Sequence, residues 1–171
     1  MDRLWTPWRY QYIKGATSEN SGETACVFCA LKRDPEEDER NFVLARARHN
    51  FIVLNLYPYI SGHLLIVPYE HMAELTGVAK ETTDELMDLT KLCQAILQDT
   101  YRPHGFNLGM NLGRAAGAGV AEHIHLHIMP RWTGDANFMS TIGETRVIPE
   151  ELTETYRKLH GPLQRTIGAG Q

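Results

Sequence analysis

The stretch His123–Trp132 reads HIHLHIMPRW, and its reading decides how the rest of the chain is understood. A chain with eight histidines sets three of them here, His123, His125 and His127, at alternate positions inside an apolar run. In an extended strand residues two apart share a face. The pattern therefore predicts a strand with three imidazoles on one surface and Ile124, Leu126 and Ile128 turned into the core. Rings two residues apart would stand roughly 6.6 Å from each other, at about 3.3 Å per residue, a spacing that suits an extended ligand such as a polyphosphate. Alternate histidines joined by a third ligand also bind zinc, so the pattern alone leaves both uses open.

The preceding segment, GMNLGRAAGAGVAEH (Gly109–His123), favours phosphate. Gly109, Gly113, Gly117 and Gly119 permit tight turns that aim backbone N–H groups at an anion, and small side chains leave room for it. The chemistry that fits is nucleophilic catalysis, in which a neutral imidazole attacks phosphorus and forms a phosphoramidate that a second acceptor breaks. With an ordinary pKa near 6.5 a histidine is largely unprotonated at neutral pH, and a hydrogen bond to one ring nitrogen selects the other for attack. His125 has a neighbour on each side and is the expected nucleophile. His123 and His127 are placed to contact phosphate oxygens or to protonate the leaving group. Glu122 is expected on the opposite face, and Arg114 reads as a solvated arginine.

Working outward, FVLARAR, FIVLNLY and HLLIVPY, separated by short turns, predict an antiparallel meander between Phe42 and Tyr69. Thr82 and Glu85 have capping-box spacing, and Leu86, Leu89, Cys93, Ile96 and Leu97 recur at helical intervals, so a long helix is expected up to RPHG, with Cys93 in its apolar stripe. FNLGMNLG predicts a further strand. PEELTETYRKLHGPL predicts a C-terminal amphipathic helix with Pro149 at its start. Residues 1–24 read as an aromatic arm, with Trp5 and Trp8, followed by a polar linker, and residues 25–171 as a single domain.

Composition narrows the setting. A length of 171 residues with 43% hydrophobic side chains suffices for a core without disulfide staples. A net charge of −4 offers no basic field for a nucleic acid, which leaves small phosphorylated ligands. Three cysteines, two of them in CVFC (Cys26–Cys29), suggest a metal or redox pair in a reducing cytoplasm. Two thiolates need further ligands, and the residues offer His49, His71, His104 and the three alternating histidines. There is neither a signal-peptide core nor an apolar run long enough to span a membrane.

These motifs resemble the histidine triad family, whose signature of alternating histidines followed by apolar residues stands here as HIHLHIM. NLYPYISGHLLIVPYEH (Asn55–His71) is similar to the family's upstream strand pair, and GMNLG to its phosphate loop. The likeness spans about Cys26 to Phe138. It implies an α+β fold with a five-stranded antiparallel sheet, a long helix and a C-terminal helix, and a homodimer that extends the sheet. It also implies nucleotide binding and a nucleotidylated middle histidine. By position, Asn55 would bind ribose, His63 would support the active histidine, and Asn111, Ala118 and Gly119 would meet phosphate beside His123 and His127. The resemblance further implies a structural zinc held by Cys26, Cys29, His71 and His123.

LWTPWR, RPHGFN and PRWTGDANF are similar to bacterial members related to diadenosine tetraphosphate phosphorylases and to fragile histidine triad hydrolases. The hydrolase branch commonly has Gln in AGQ, whereas this chain has Ala118 and Gly119. The wider pocket would admit inorganic phosphate as an acceptor beside water. Trp132, Asp135 and Asn137 either border a second nucleotide or close the strand. The expectation is thus a cytoplasmic homodimeric enzyme that splits diadenosine tri- or tetraphosphate without nucleic-acid or membrane partners. Its rivals are a nucleoside phosphoramidase, a nucleotide-binding signalling module, and an enzyme with one metal on all three histidines.

Overall fold

The computed structural model describes residues 26–33, 35–143 and 148–168. The aromatic arm, with Trp5 and Trp8, lies outside them. The meander forms as β1 (Val43–Arg46), β2 (Asn50–Leu54) and β3 (Leu64–Pro68), joined antiparallel. β4 (Gly105–Gly109) and β5 (Leu126–Arg131) complete a five-stranded sheet in the order β1-β2-β3-β5-β4. Every pairing is antiparallel, and β5 lies in the interior between β3 and β4.

β2 and β3 are buried along their whole length, because the two faces of the sheet are covered differently. On one face Ile52, Leu54, Leu64, Ile66, Leu126 and Ile128 pack against the helices. These are α2 (Lys80–Tyr101), through Leu86, Leu89, Cys93 and Leu97, and the C-terminal helix Leu152–Gly168, through Leu159 and Leu163. Cys93 is buried in this core, as its place in the apolar stripe predicts. On the other face Phe51, Val53, Leu65 and Val67 pack against α1 (Val27–Arg33), which carries Phe28 and Cys29. Arg46 ties α1 to the sheet, donating to the Leu31 carbonyl at 2.6 Å while it is paired with Asp38.

Three local expectations change. Helix α2 begins at Lys80, with Thr82 and Glu85 inside it and no side-chain cap at Ala79. Glu85 instead accepts the N–H groups of Arg48 (3.0 Å) and His49 (2.8 Å) and the side-chain amide of Asn50 (2.8 Å). A carboxylate that can satisfy the donors of the β1–β2 turn is more use there than at a solvated helix end. The C-terminal helix starts at Leu152 rather than Pro149 and runs through Pro162 to Gly168. Its entry is fixed by Glu150, which accepts from Thr155, Lys158 and the Tyr101 hydroxyl. Finally, β5 begins only at Leu126, so His123 and His125 precede the strand.

One glycine is dictated by geometry. Gly62 has φ +78°, and a Cβ there would meet Pro130, Leu97 and Tyr101 at 3.2–3.3 Å. The turn it allows delivers His63 to the start of β3 against β5.

Candidate active site

His127 is the member of the histidine run that lies within the sheet, opposite Leu65 on β3 and Gly109 on β4. A side chain at Gly109 would meet nothing within 4 Å, so the surface beside His127 stays open. The His125 and His127 rings approach to 4.8 Å between centroids, closer than an ideal strand spacing, because His125 sits beyond the strand end. Both are buried side chains.

The hydrogen bonds define the tautomers. The Nδ1 of His125 is 2.9 Å from the His123 carbonyl oxygen. A carbonyl can only accept, so Nδ1 carries the proton and the lone pair of a neutral His125 lies on Nε2. Burial lowers the pKa of His125, which keeps the ring neutral. At His63 the assignment runs the other way. The Tyr59 backbone N–H donates to His63 Nδ1 at 3.2 Å, and the Asn55 amide lies 3.3 Å from the same nitrogen. With Nδ1 accepting, a neutral His63 carries its proton on Nε2, which faces His127 Nδ1 at 2.9 Å. His127 then accepts on Nδ1 and holds its own proton on Nε2. The arrangement sets an available lone pair on His125 Nε2 beside an N–H on His127 Nε2.

His123 belongs to a different group. Its side chain is fully buried, with Nε2 donating to the Pro68 carbonyl at 2.9 Å and Nδ1 lying 3.4 Å from Cys26 Sγ and 3.6 Å from Cys29 Sγ. His71 Nδ1 lies 3.3 Å from Cys29 Sγ. One ligand atom from each of Cys26, Cys29, His71 and His123 falls within 4.8 Å of all the others. Two thiols and two imidazoles are the donor set of a tetrahedral site, and the Pro68 carbonyl orients the His123 ring as an outer partner does around a metal. Burial holds the His123 pKa down to about 4, so its ring is neutral and fit to ligate. Among the described residues no convergent group of metal-ligating side chains joins His123, His125 and His127, which leaves the three-histidine metal reading without support.

The remaining candidates are placed as follows. Asn55 stands beside His63, with its carbonyl oxygen accepting from the Tyr57 N–H at 3.0 Å. Asn111 follows β4, Ala118 is buried, and Gly119 lies in the turn before the histidines. Arg114 is exposed in a short 3-10 turn. Asp135 pairs with Arg131 at 2.6 Å and accepts from the Trp132 N–H, while Asn137 accepts from the Met139 N–H, so both are engaged in shaping the segment after β5. Two residues escaped the sequence reading. Tyr59 fixes the tautomer of His63 through its backbone, and Phe28 touches the His125 ring at 4.9 Å. Backbone donors leave no side-chain signature, and Phe28 between two cysteines reads as core filler.

A five-stranded antiparallel sheet with helices packed on it and a cluster of imidazoles at its centre defines an α+β protein. The particular family follows from residues 36–134, which match the HIT domain; the chain belongs to the HIT family. It is 42% identical over 161 residues to the AP-4-A phosphorylase of Mycobacterium tuberculosis, covering 93% of this chain and 83% of that one. It is 30% identical over 110 residues to the adenosine 5'-monophosphoramidase HNT1 of Saccharomyces cerevisiae, covering 64% of each. A Zn-bound histidine triad family protein from Mycobacterium smegmatis has the same fold, with a TM-score of 0.68 and 26% identity over 86% of this chain and 99% of that one.

Proposed function

We propose that the protein cleaves dinucleoside polyphosphates, with diadenosine tri- or tetraphosphate as substrate, by nucleotidyl transfer through His125. The observation that carries this reading is the Nδ1–H bond from His125 to the His123 carbonyl, which directs the Nε2 lone pair to attack. In the first step Nε2 forms a bond to the phosphorus next to one nucleoside, and the bridging P–O bond breaks. His127 Nε2–H donates a hydrogen bond to the bridging oxygen as it departs with the phosphate anion, and the His63 Nε2–H bond to His127 Nδ1 keeps the His127 proton on Nε2 for that task. In the second step an acceptor oxygen attacks the same phosphorus and the P–N bond breaks, restoring His125. Asn55, Asn111, Ala118 and Gly119 bind substrate in this reading, and His63 and His127 serve the leaving group.

The likeness to an AP-4-A phosphorylase supports inorganic phosphate as the acceptor. Purified protein supplied with diadenosine tetraphosphate and labelled phosphate is then expected to place label in ADP, and His125→Ala to abolish turnover. Unlabelled products would make water the acceptor, and turnover by His125→Ala would remove the mechanism. The similarity to a phosphoramidase favours one second reading, in which the same nucleophile attacks a P–N substrate. Rapid AMP release from adenosine phosphoramidate with little action on dinucleotides would establish it.

For the Cys26, Cys29, His71 and His123 group we propose zinc, held apart from the reaction. When bound it would fasten α1 to the sheet. His123 is assigned to that group rather than to substrate, since both its ring nitrogens face protein atoms. We also propose a cytoplasmic homodimer joined along β4, an edge strand with Leu108 exposed on it. Among the described residues no helix is long and apolar enough to cross a membrane.

A further inference from the structure

His125 stands outside the hydrogen-bonded ladder of the sheet, which starts at Leu126. A nucleophile off the end of a strand needs other supports if it is to stay in line with phosphorus. The Ile124 N–H donates to the Met72 carbonyl at 2.7 Å, and this fixes the backbone one residue earlier. The Nδ1 bond to the His123 carbonyl restrains the His125 ring at one edge. The support against its face comes from a distant part of the chain. Phe28, on α1 between the two thiols, places its ring 4.9 Å from the His125 ring at an interplanar angle of 52°. The same ring meets His123 edge-on at 5.4 Å.

Phe28 is itself buried and immobilised by the second core cluster, with Phe51, Val53, Leu65 and Val67. The helix carrying it is anchored at both ends. Cys26 and Cys29 meet His123 and His71 near its start, and at its end the Leu31 carbonyl accepts from Arg46. The side chain that braces the nucleophile is therefore carried by the same short helix that supplies the two thiols.

We infer that Phe28 is a positioning residue for the reaction, acting through His125 by holding its imidazole in the attacking orientation. The inference rests on the assignment of His125 as the nucleophile. Phe28 offers no polar atom to substrate, and as a buried residue its effect is on orientation rather than on binding. A misplaced reacting group lowers the rate of the chemical step while leaving ground-state affinity largely intact.

The test compares wild type, Phe28→Leu and Phe28→Ala, each zinc-loaded and with its melting curve recorded. Phe28→Ala is expected to lower kcat between about 10- and 100-fold with KM within about twofold, and Phe28→Leu, which keeps most of the volume, to recover much of the loss. The independent reading is the 15N spectrum of the His125 imidazole, recorded without substrate. Wild type should show one tautomer protonated at Nδ1, and Phe28→Ala should show averaged Nδ1 and Nε2 resonances. A variant with raised KM and unchanged kcat would make Phe28 a wall of the nucleotide pocket and overturn the inference. So would an unchanged His125 spectrum in folded Phe28→Leu and Phe28→Ala proteins. Failure of the nucleophile assignment is distinguished by turnover in His125→Ala, which leaves the spectral comparison intact.

Discussion

Side chain by side chain, what matters at the centre of the sheet is which nitrogen carries which proton. His125 and His127 differ in sequence only by position, yet one donates through Nδ1 to a carbonyl and the other accepts there from His63. In the proposed reaction that asymmetry makes one the nucleophile and the other the hydrogen-bond donor to the leaving group. His63→Ala should therefore lower kcat on a dinucleoside polyphosphate by about 10- to 100-fold, because nothing then holds the His127 proton on Nε2 toward the leaving group. On a nucleotide ester with a strongly acidic leaving group, which needs no such donor, the loss should be much smaller. Equal losses on both substrates, measured in steady state, would show that His63 supports something other than stabilisation of the leaving group. The strand pattern singled out the three histidines, and His63 was reached only through the family resemblance. The separation of His123 from the other two was not legible from the strand pattern, because alternation presumes a regular strand and β5 starts only at Leu126.

At the scale of elements, α1 is a seven-residue helix, too short to hold itself together in water. Its place depends on Phe28 in the second core cluster, on Arg46 and on the Cys/His group. Removing the metal with a chelator, or removing a ligand in Cys29→Ser, should lower the Tm by about 5–10 °C. A ligand at a hundredfold its Kd adds about 2.7 kcal/mol, and each kcal/mol moves a chain of this size by about 2–4 °C. No change in Tm on chelation would remove the metal from the account of α1.

The turn after β5 gives a pH-dependent counterpart. Arg131 beside Asp135 holds its carboxyl at about 2, below the ordinary 3.8. A folded-state pKa below the unfolded one stabilises the fold above the unfolded value and loses that effect as pH falls toward the folded one. The Tm difference between wild type and Asp135→Asn should thus be full at pH 6 and narrow between about pH 4 and pH 2. A difference constant over that range would mean that the charge does not matter. The meander and α2 could be read from periodicity, since hydrophobic spacing survives whatever the caps do. The role of Glu85 could not, because its partners at Arg48 and His49 are more than 30 residues away and are backbone donors.

For the whole molecule, the sheet has one face sealed by helices and one face shared between a small apolar cluster and the histidines. Strand alternation in β3 divides its residues between these two tasks: Leu64 and Ile66 join the helical core, while Leu65 and Val67 line the other side. The sequence pattern shows only a continuous apolar run there, which is why the sheet was predictable but its two-sided use was not. Along the open edge, β4 exposes Leu108. If two chains join there, wild type should sediment as a dimer and Leu108→Lys as a monomer with an unchanged circular dichroism spectrum. A wild-type monomer would end the dimer proposal.

The central claim, a nucleotide carried covalently on His125, is tested most directly by stopping the reaction with diadenosine tetraphosphate within its first turnover and mapping the protein by mass spectrometry. The account predicts one acid-labile nucleotidyl group on the peptide that contains His125, present in wild type and absent in His125→Ala. A turning-over enzyme that carries no adduct, or carries it on another peptide, would contradict it.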